Sequence, residues 1–202
     1  VAIGGFSPHD ASIGYFDNVQ IEAVACLFML LSGINYGLHF LVWRRKNLFY
    51  YLADIELRAY LIFTFGIAAV VVGMLTLVPT ATVSPLRDGI FQTISIATTT
   101  GFVTQDFSQW PSVVPVLLLL AAFAGGCAGS TAGGIKIIRV LMIYLQGMRE
   151  VKRLIHPSGV FPIRLGKTPV PDRLIEAVWS FFRAYALLFP LSVVLVMGLG
   201  DL

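Results

Sequence analysis

Between two long apolar segments of the chain lies a polar, threonine-rich run, SIATTTGFVT at residues 95–104. Its alternation also fits a buried β-strand. Its neighbours, however, have the length and apolarity of membrane-spanning helices. Non-helical backbone at membrane depth persists only where it lines a cavity or is buried in protein. The run is therefore a candidate pore lining, with an ordinary Ser/Thr-rich loop as the alternative.

The residue types in this run suit the coordination of a cation. A cation that crosses a bilayer exchanges its hydration shell for protein oxygens, and backbone carbonyls are a dense supply of them. Gly101 permits a backbone turn that a Cβ atom would block. Thr98, Thr99 and Thr100 add hydroxyl groups and are small enough to leave the carbonyls facing inward.

The start of the chain repeats part of this run. A single shift along the sequence places Gly5-Phe6 on Gly101-Phe102 and Asp10 on Asp106. Repetition at a fixed period indicates one structural unit copied along the chain. The sequence therefore predicts two equivalent loops.

The composition excludes a soluble domain. Hydrophobic residues make up 57% of the 202 residues, charged residues only 12%, and the mean hydropathy is +0.83. A soluble domain of this size does not tolerate such a surface. We expect an integral membrane protein without a signal peptide, and we expect the chain to be the central stretch of a longer one.

The apolar pattern predicts four spans and one shorter helix. Residues 84–95 have Pro85 in a first turn and are too short and too polar to span, so we interpret them as a re-entrant half-helix. Its partly negative C-terminal end would point at residues 95–104, which favours a cation there. The predicted spans are residues 21–43, 58–78, 113–123 and 174–199. The third span is interrupted after residue 123, and its helical pattern resumes at residue 135.

A glycine-rich break interrupts the third span. Five glycines fall within residues 125–134, and each costs about 1 kcal/mol against Ala inside a helix. The spacing matches neither a Walker loop nor a nucleophile elbow. We interpret the break as a hinge that gates a pore, with close helix packing as the alternative. Close packing is our interpretation of Gly33 and Gly37 as well.

Charges are distributed unevenly between the two predicted faces. If the loops at residues 5 and 101 face outward, every Lys and Arg except Arg87 lies toward the other side. This distribution agrees with positive-inside topology. Carboxylates gather on the loop side, where they would concentrate cations. These carboxylates belong to Asp10, Asp17, Asp88, Asp106 and Asp201.

The order of helix, half-helix with a Thr-Gly run, and interrupted helix resembles the Trk/Ktr/HKT superfamily of potassium transporters, and within it the TrkH/TrkG-type subunit. Five stretches, which together extend over nearly the whole chain, carry the resemblance. They are residues 3–16, 32–39, 97–102, 125–136 and 176–179.

The resemblance implies an all-α integral membrane fold of repeated helix–re-entrant pore loop–helix units, pseudo-fourfold in the full-length protein. Residues 1–56 would end the second unit, residues 57–156 would form the third, and residues 157–202 would contain a cytoplasmic connector and the first helix of the fourth. Each unit would contribute one filter glycine. The first and fourth filter segments lie outside this chain, so its K⁺/Na⁺ selectivity stays open.

The resemblance also assigns site residues. The ion-binding residues of the filter would be Ile3, Gly4, Gly5, Thr98, Thr99, Thr100 and Gly101. K⁺ would be held at Gly5, Thr99, Thr100 and Gly101. The gate would comprise Gly125, Gly126, Gly129, Ser130, Thr131, Gly133, Gly134 and Lys136.

We therefore expect K⁺ uptake across a bacterial inner membrane by a multi-pass protein with no catalytic residues and no enzyme activity. A Na⁺- or H⁺-coupled symporter of the same fold and a non-conducting assembly subunit are the alternatives. The resemblance implies a homodimer surrounded by lipid and no nucleic-acid partner. It also implies no cofactor in this chain, because the nucleotide would bind a cytosolic regulatory ring of the TrkA type. Arg149, Lys152 and Arg153 are the residues we expect to face that ring.

Overall fold

The computed structural model describes residues 3–78, 84–157, 159–166 and 168–200. Within them the chain is helical apart from loops and one two-residue hairpin, in which β1 (Arg164–Leu165) pairs antiparallel with β2 (Thr168–Pro169). The α-helices are α1 (Val19–Ser32), α2 (Tyr36–Arg45), α3 (Phe49–Ala53), α4 (Ile55–Leu77), α5 (Pro85–Ala97), α6 (Val113–Ala124), α7 (Ile137–Ile155) and α8 (Asp172–Gly200). The chain divides into two compact units, Val1–Ile138 and Arg139–Leu202.

Two described helices, Ile55–Leu77 and Asp172–Leu199, are long and apolar enough to cross a membrane, and α1 and α2 together would make a third span. These helices confirm the predicted all-α membrane fold. The predicted half-helix is also present as α5, which begins at Pro85 and ends at Ala97. The predicted interruption lies between α6 and α7. With 12 residues, α6 rises about 18 Å and does not cross a hydrocarbon core of about 30 Å.

The packing around α5 fixes its position within the first unit. Its buried Phe91 and Ile94 contact Met29 of α1 in one apolar cluster. Beside it, Val71 and Leu75 of α4 form a second cluster with Trp110, Val114 and Leu118. The half-helix is therefore enclosed by neighbouring helices, as its eight buried residues indicate.

An ion pair joins α5 to α1 at the N-terminal ends of both helices. Arg87 donates from Nε to Glu22 at 2.7 Å and from one terminal nitrogen to Asp17 at 2.8 Å. The Glu22 side chain is only 5% exposed, and a buried carboxylate requires such a partner. Arg87 is thus shared by two carboxylates, and the three groups together keep one negative charge. The role of Asp17 as an attractor of cations stays a prediction.

The prediction of one continuous span over residues 21–43 is wrong. The helix breaks after Ser32 and resumes at Tyr36, and the two parts are bent by 92°. Asn35 begins α2 by accepting a hydrogen bond from the Gly37 amide at 2.8 Å. Gly33 and Gly37 therefore do not share a packing face of one helix, which corrects our interpretation of that pair.

Gly33 is needed at the bend because Tyr60 of α4 lies against it. A Cβ atom on Gly33 would overlap the Tyr60 hydroxyl oxygen and would lie 2.9 Å from Cζ of the same ring. Tyr60 is fully buried, so its ring has little room to move. The bend is held in place by close contact between a backbone without a side chain and a large aromatic ring.

We expect Gly33→Ala to lower the free energy of unfolding by about 1–3 kcal/mol, the usual cost of overpacking. Adding Tyr60→Phe should recover part of this loss because it removes the overlapping oxygen. Thermal unfolding of the purified protein in detergent, arranged as a double-mutant cycle, measures the coupling. Gly66→Ala on α4 is the control, since nothing lies within 4 Å of its Cβ position. Additive effects of Gly33→Ala and Tyr60→Phe would contradict this account.

Candidate functional site: two glycine loops and a restrained loop behind them

The two loops that the repeat predicted lie directly against each other. The Gly5 amide donates to the Thr100 carbonyl at 2.7 Å. Gly5 and Gly101 have φ angles of +71° and +81°, a region that favours glycine. A Cβ atom on Gly101 would lie 2.9 Å from both N and Cα of Gly5. Both positions therefore require glycine for conformation and for space.

Further contacts join the two loops beyond the glycines. The Gly14 amide donates to the Val103 carbonyl at 3.1 Å, and the Val103 amide donates to the Ser12 hydroxyl at 3.2 Å. Two backbone hydrogen bonds and one side-chain hydrogen bond thus join residues 5–14 to residues 100–103. Non-helical backbone at membrane depth would require such pairing.

The threonine hydroxyls brace the loop internally. The Thr98 hydroxyl donates to the Ile94 carbonyl at 2.8 Å and lies 2.8 Å from the Thr100 hydroxyl. Both side chains are 2% exposed. The side chains of Thr98 and Thr100 are therefore occupied within the protein. Coordination by the carbonyls of residues 98–101 stays a prediction.

Ser95 organises the same turn and was missed by the sequence analysis. Its hydroxyl donates to the Phe102 carbonyl at 2.7 Å, while its own carbonyl accepts from the Thr100 amide at 2.8 Å. The side chain is fully buried. The available signal was its position, a small polar residue in the last turn of the half-helix.

The glycine-rich loop at residues 125–134 folds back against the break between α1 and α2. The Cys127 amide donates to the Gly33 carbonyl at 2.9 Å, and the Tyr36 amide donates to the Gly129 carbonyl at 3.1 Å. The Thr131 amide donates to the Ser32 carbonyl at 3.3 Å. The two irregular segments therefore satisfy each other's backbone groups.

Side chains anchor the loop at two further points. The Ala128 amide donates to the Glu56 carboxylate of α4 at 2.5 Å. The Gly133 amide donates to the Thr99 hydroxyl at 2.6 Å. This second bond joins the glycine-rich loop directly to the Thr-Gly run. Neither Glu56 nor the Thr99 hydroxyl was predicted to contact the loop.

The ends of the loop close on each other. A Cβ atom on Gly125 would overlap the Gly133 carbonyl oxygen, and one on Gly134 would lie 2.7 Å from the Ala122 carbonyl oxygen. Both glycines have positive φ angles, +67° and +77°. Lys136 turns its ammonium group back to the Ala132 carbonyl. The predicted gate residues thus form one compact, restrained loop.

Comparison with known proteins identifies the family to which the chain belongs. A family model for TrkH, described as a cation transport protein, matches residues 1–201. The chain belongs to the TrkH family. It is 51% identical over 201 residues to the Trk system potassium uptake protein TrkH of Halomonas elongata, an alignment that covers 99% of this chain and 42% of that protein. It is 39% identical over 206 residues to TrkG of Escherichia coli K12, covering 99% and 41%.

A solved structure agrees with the fold. The crystal structure of the potassium transporter TrkH from Vibrio parahaemolyticus matches with a TM-score of 0.88 at 45% sequence identity. That match covers 93% of this chain and 41% of the crystallised one. The chain thus spans about two fifths of the length of the relatives it matches. The predicted family and fold class are confirmed.

Two carboxylates of this TrkH-family chain lie beside the paired loops. Asp10 and Asp106, the residues that the repeat superposes, line one depression of about 440 Å³ together with Val103 and Thr104. Hydrogen bonds from Ser108 hold the pKa of Asp106 below its usual range, so this carboxylate stays ionised at neutral pH. Asp88 is buried, and Asp201 lies outside the described residues.

We expect Ser95→Ala to destabilise the TrkH-family protein by about 1–3 kcal/mol, because the Phe102 carbonyl loses its donor. Thermal unfolding in detergent measures the change. The matched control is Ser192→Ala, which removes a hydrogen bond of the same length, 2.7 Å, from the exposed Ser192 hydroxyl to the Phe189 carbonyl. Equal stability losses in the two variants would show that Ser95 has no special part in the turn.

Proposed function

We propose that the full-length protein takes up K⁺ through a pore whose selectivity filter includes the paired loops at residues 3–5 and 98–101. The observation that carries this proposal is the backbone contact between Gly5 and Gly101 at the end of the half-helix α5. Membership of a cation transport family and relatives named potassium uptake proteins support it.

The geometry explains how such loops suit a cation. The C-terminal end of α5 leads directly into residues 98–101, and the end of a helix carries a partial negative charge. Gly101 is exposed at the surface of the loop, whereas Thr98 and Thr100 are buried. Carbonyl oxygens of Gly5, Thr99, Thr100 and Gly101 would replace water around K⁺. The carboxylates of Asp10 and Asp106 would raise the local cation concentration.

The same proposal assigns the gate to residues 125–134. The loop is held by the Glu56 carboxylate and by the Thr99 hydroxyl. A loop that blocks conduction has to be held in place when closed and released when open. Hydrogen bonds from two backbone amides to side-chain oxygens are contacts that a conformational change can break. Thr99 therefore positions the gate against the filter.

The remaining assignments follow from the family. We propose that residues 1–56, 57–156 and 157–202 belong to three consecutive units of a pseudo-fourfold pore. The full-length protein would cross a bacterial inner membrane several times. We also propose that it forms a homodimer and binds a cytosolic ring that carries the regulatory nucleotide. The word "system" in the relatives' names supports a separate component that controls this subunit.

Rubidium uptake by cells that lack their own potassium uptake tests the filter. We expect Gly101→Ser in the full-length protein to lower the preference for Rb⁺ over Na⁺ about tenfold or more, the change that 1.4 kcal/mol of lost discrimination produces. The cause is a Cβ atom 2.9 Å from the Gly5 backbone at a positive φ. Gly73→Ser is the control, because its Cβ position is open. Unchanged uptake and preference in Gly101→Ser would refute the filter and favour a non-conducting subunit.

A second substitution tests the gate. Thr99→Val removes the acceptor of the Gly133 amide but keeps the size and the backbone carbonyl, so we expect Rb⁺ flux without the regulatory partner to rise severalfold. Thr99→Ser keeps the hydroxyl and should behave like the unaltered protein. Flux is measured in vesicles that contain the purified full-length protein. If Thr99→Val and Thr99→Ser give the same flux, this contact does not hold the gate.

A further inference from the structure

His39 of α2 uses both nitrogens of its ring for hydrogen bonds within the first unit. Its Nε2 atom lies 3.0 Å from the Leu31 carbonyl oxygen of α1, and its Nδ1 atom lies 2.6 Å from the Tyr51 hydroxyl of α3. A carbonyl oxygen only accepts, so Nε2 carries the hydrogen and donates to Leu31. In the neutral ring Nδ1 is then the acceptor, and the Tyr51 hydroxyl donates to it. The ring therefore bridges α1 and α3.

The bond to Leu31 holds the end of α1, where the glycine-rich loop has its first set of anchors. These anchors are carbonyls of the two residues that follow Leu31. The Ser32 carbonyl accepts from the Thr131 amide at 3.3 Å. The Gly33 carbonyl accepts from the Cys127 amide at 2.9 Å. A shift of Leu31 therefore displaces both acceptors of the loop.

The bond to Tyr51 holds the segment that leads to the other anchor of the loop. Tyr51 lies in the short helix α3, and Asp54 directly after this helix begins α4. The Asp54 carboxylate accepts from the Leu57 amide at 2.7 Å, which fixes the turn between the two helices. The Glu56 carboxylate in the first turn of α4 accepts from the Ala128 amide of the loop. The position of this anchor therefore depends on where α3 lies.

The His39 side chain thus joins the two parts of the chain on which the glycine-rich loop is anchored. It is half-buried, and the ring centroids of Tyr36 and Tyr51 lie 5.8 and 5.7 Å from its own. Tyr36 is an anchor as well, because its amide donates to the Gly129 carbonyl at 3.1 Å. Two neighbouring rings and two hydrogen bonds restrict the imidazole to one orientation. The distance between the two sets of anchors is therefore restrained through His39.

We propose that His39 is a positioning residue of the glycine-rich loop, because it clamps the end of α1 to α3 and so keeps both sets of anchors in place. The consequence for transport rests on the proposed function, in which this loop is the gate. Loss of either hydrogen bond of His39 lets the two sets of anchors separate. The loop then leaves its closed position more readily, and the flux without the regulatory partner rises.

Hydrogen exchange of the full-length protein in detergent, measured by mass spectrometry, tests the clamp independently of transport. His39→Leu removes both hydrogen bonds, and Tyr51→Phe removes a single hydroxyl. We expect the backbone amides of residues 125–134 to exchange about threefold or more faster in both variants, because opening of the loop exposes the amides that its anchors protect. Tyr50→Phe is the matched control, since it removes a hydroxyl from the neighbouring half-buried residue of α3, which takes no part in the clamp.

Rb⁺ flux into vesicles that contain the purified full-length protein without its regulatory partner tests the consequence. We expect His39→Leu and Tyr51→Phe to raise this flux about threefold or more. The combined variant should exceed His39→Leu very little, because both substitutions remove the same bridge. His39→Gln keeps a side-chain N–H group that can donate to the Leu31 carbonyl, and it should recover part of the restraint. Thermal unfolding confirms that the variants are folded, and Tyr51→Phe decides alone if His39→Leu is not.

The two measurements separate a failure of the clamp from a failure of the gate. Faster exchange and higher flux in the clamp variants, but not in Tyr50→Phe, support the inference. Faster exchange with unchanged flux would support the clamp and refute the loop as the gate, so the error would lie in the proposed function. Unchanged exchange in His39→Leu and Tyr51→Phe, or an equal increase in Tyr50→Phe, would overturn the role of His39.

Discussion

Backbone amides and carbonyls outside helices have to be satisfied by the protein itself when no water is at hand. Four irregular segments of the first unit meet this requirement by pairing in twos. Gly5 pairs with Thr100, and the loop at residues 125–134 pairs with Ser32, Gly33 and Tyr36 at the break between α1 and α2. The Gly133 amide also donates to the Thr99 hydroxyl, so hydrogen bonds connect the two pairs.

Glycine makes this pairing possible because backbones can approach only where no Cβ intervenes. Gly5 and Gly101 contact each other, Gly33 admits Tyr60, and Gly125 adjoins the Gly133 carbonyl. The glycines are therefore more than a source of flexibility. In the loop at 125–134 they create a compact shape with many anchors, so motion there requires breaking specific hydrogen bonds. This requirement is compatible with a gate that has two defined positions, and it argues against a loosely hinged one.

Local patterns in the sequence were sufficient for the elements that depend on local chemistry. Pro85, the limited length and the polar character of α5 predicted a half-helix, and the density of glycines predicted the break after α6. The repeat that linked Gly5 with Gly101 predicted two equivalent loops, and they lie side by side. The bend at Gly33 was missed because residues 21–43 are long and apolar enough overall for one span, although Ser32, Gly33 and Asn35 are local signals of a helix break. Its causes, Tyr60 and the Cys127 amide, are distant in sequence.

Sequence patterns did not reveal the contacts that join the Thr-Gly run to the glycine-rich loop, which are the filter and the gate of our proposal. A threonine in a filter is expected to serve the ion, yet the Thr99 hydroxyl accepts the Gly133 amide at 2.6 Å. Thr99 lies two residues before Gly101, and Gly133 lies directly before Gly134, where the loop closes. If residues 125–134 form the gate that we propose, a displacement of this loop breaks the bond and frees the Thr99 hydroxyl. The proposed filter and the proposed gate would then be coupled through one hydrogen bond, so that a change in either would alter the conformational freedom of the other.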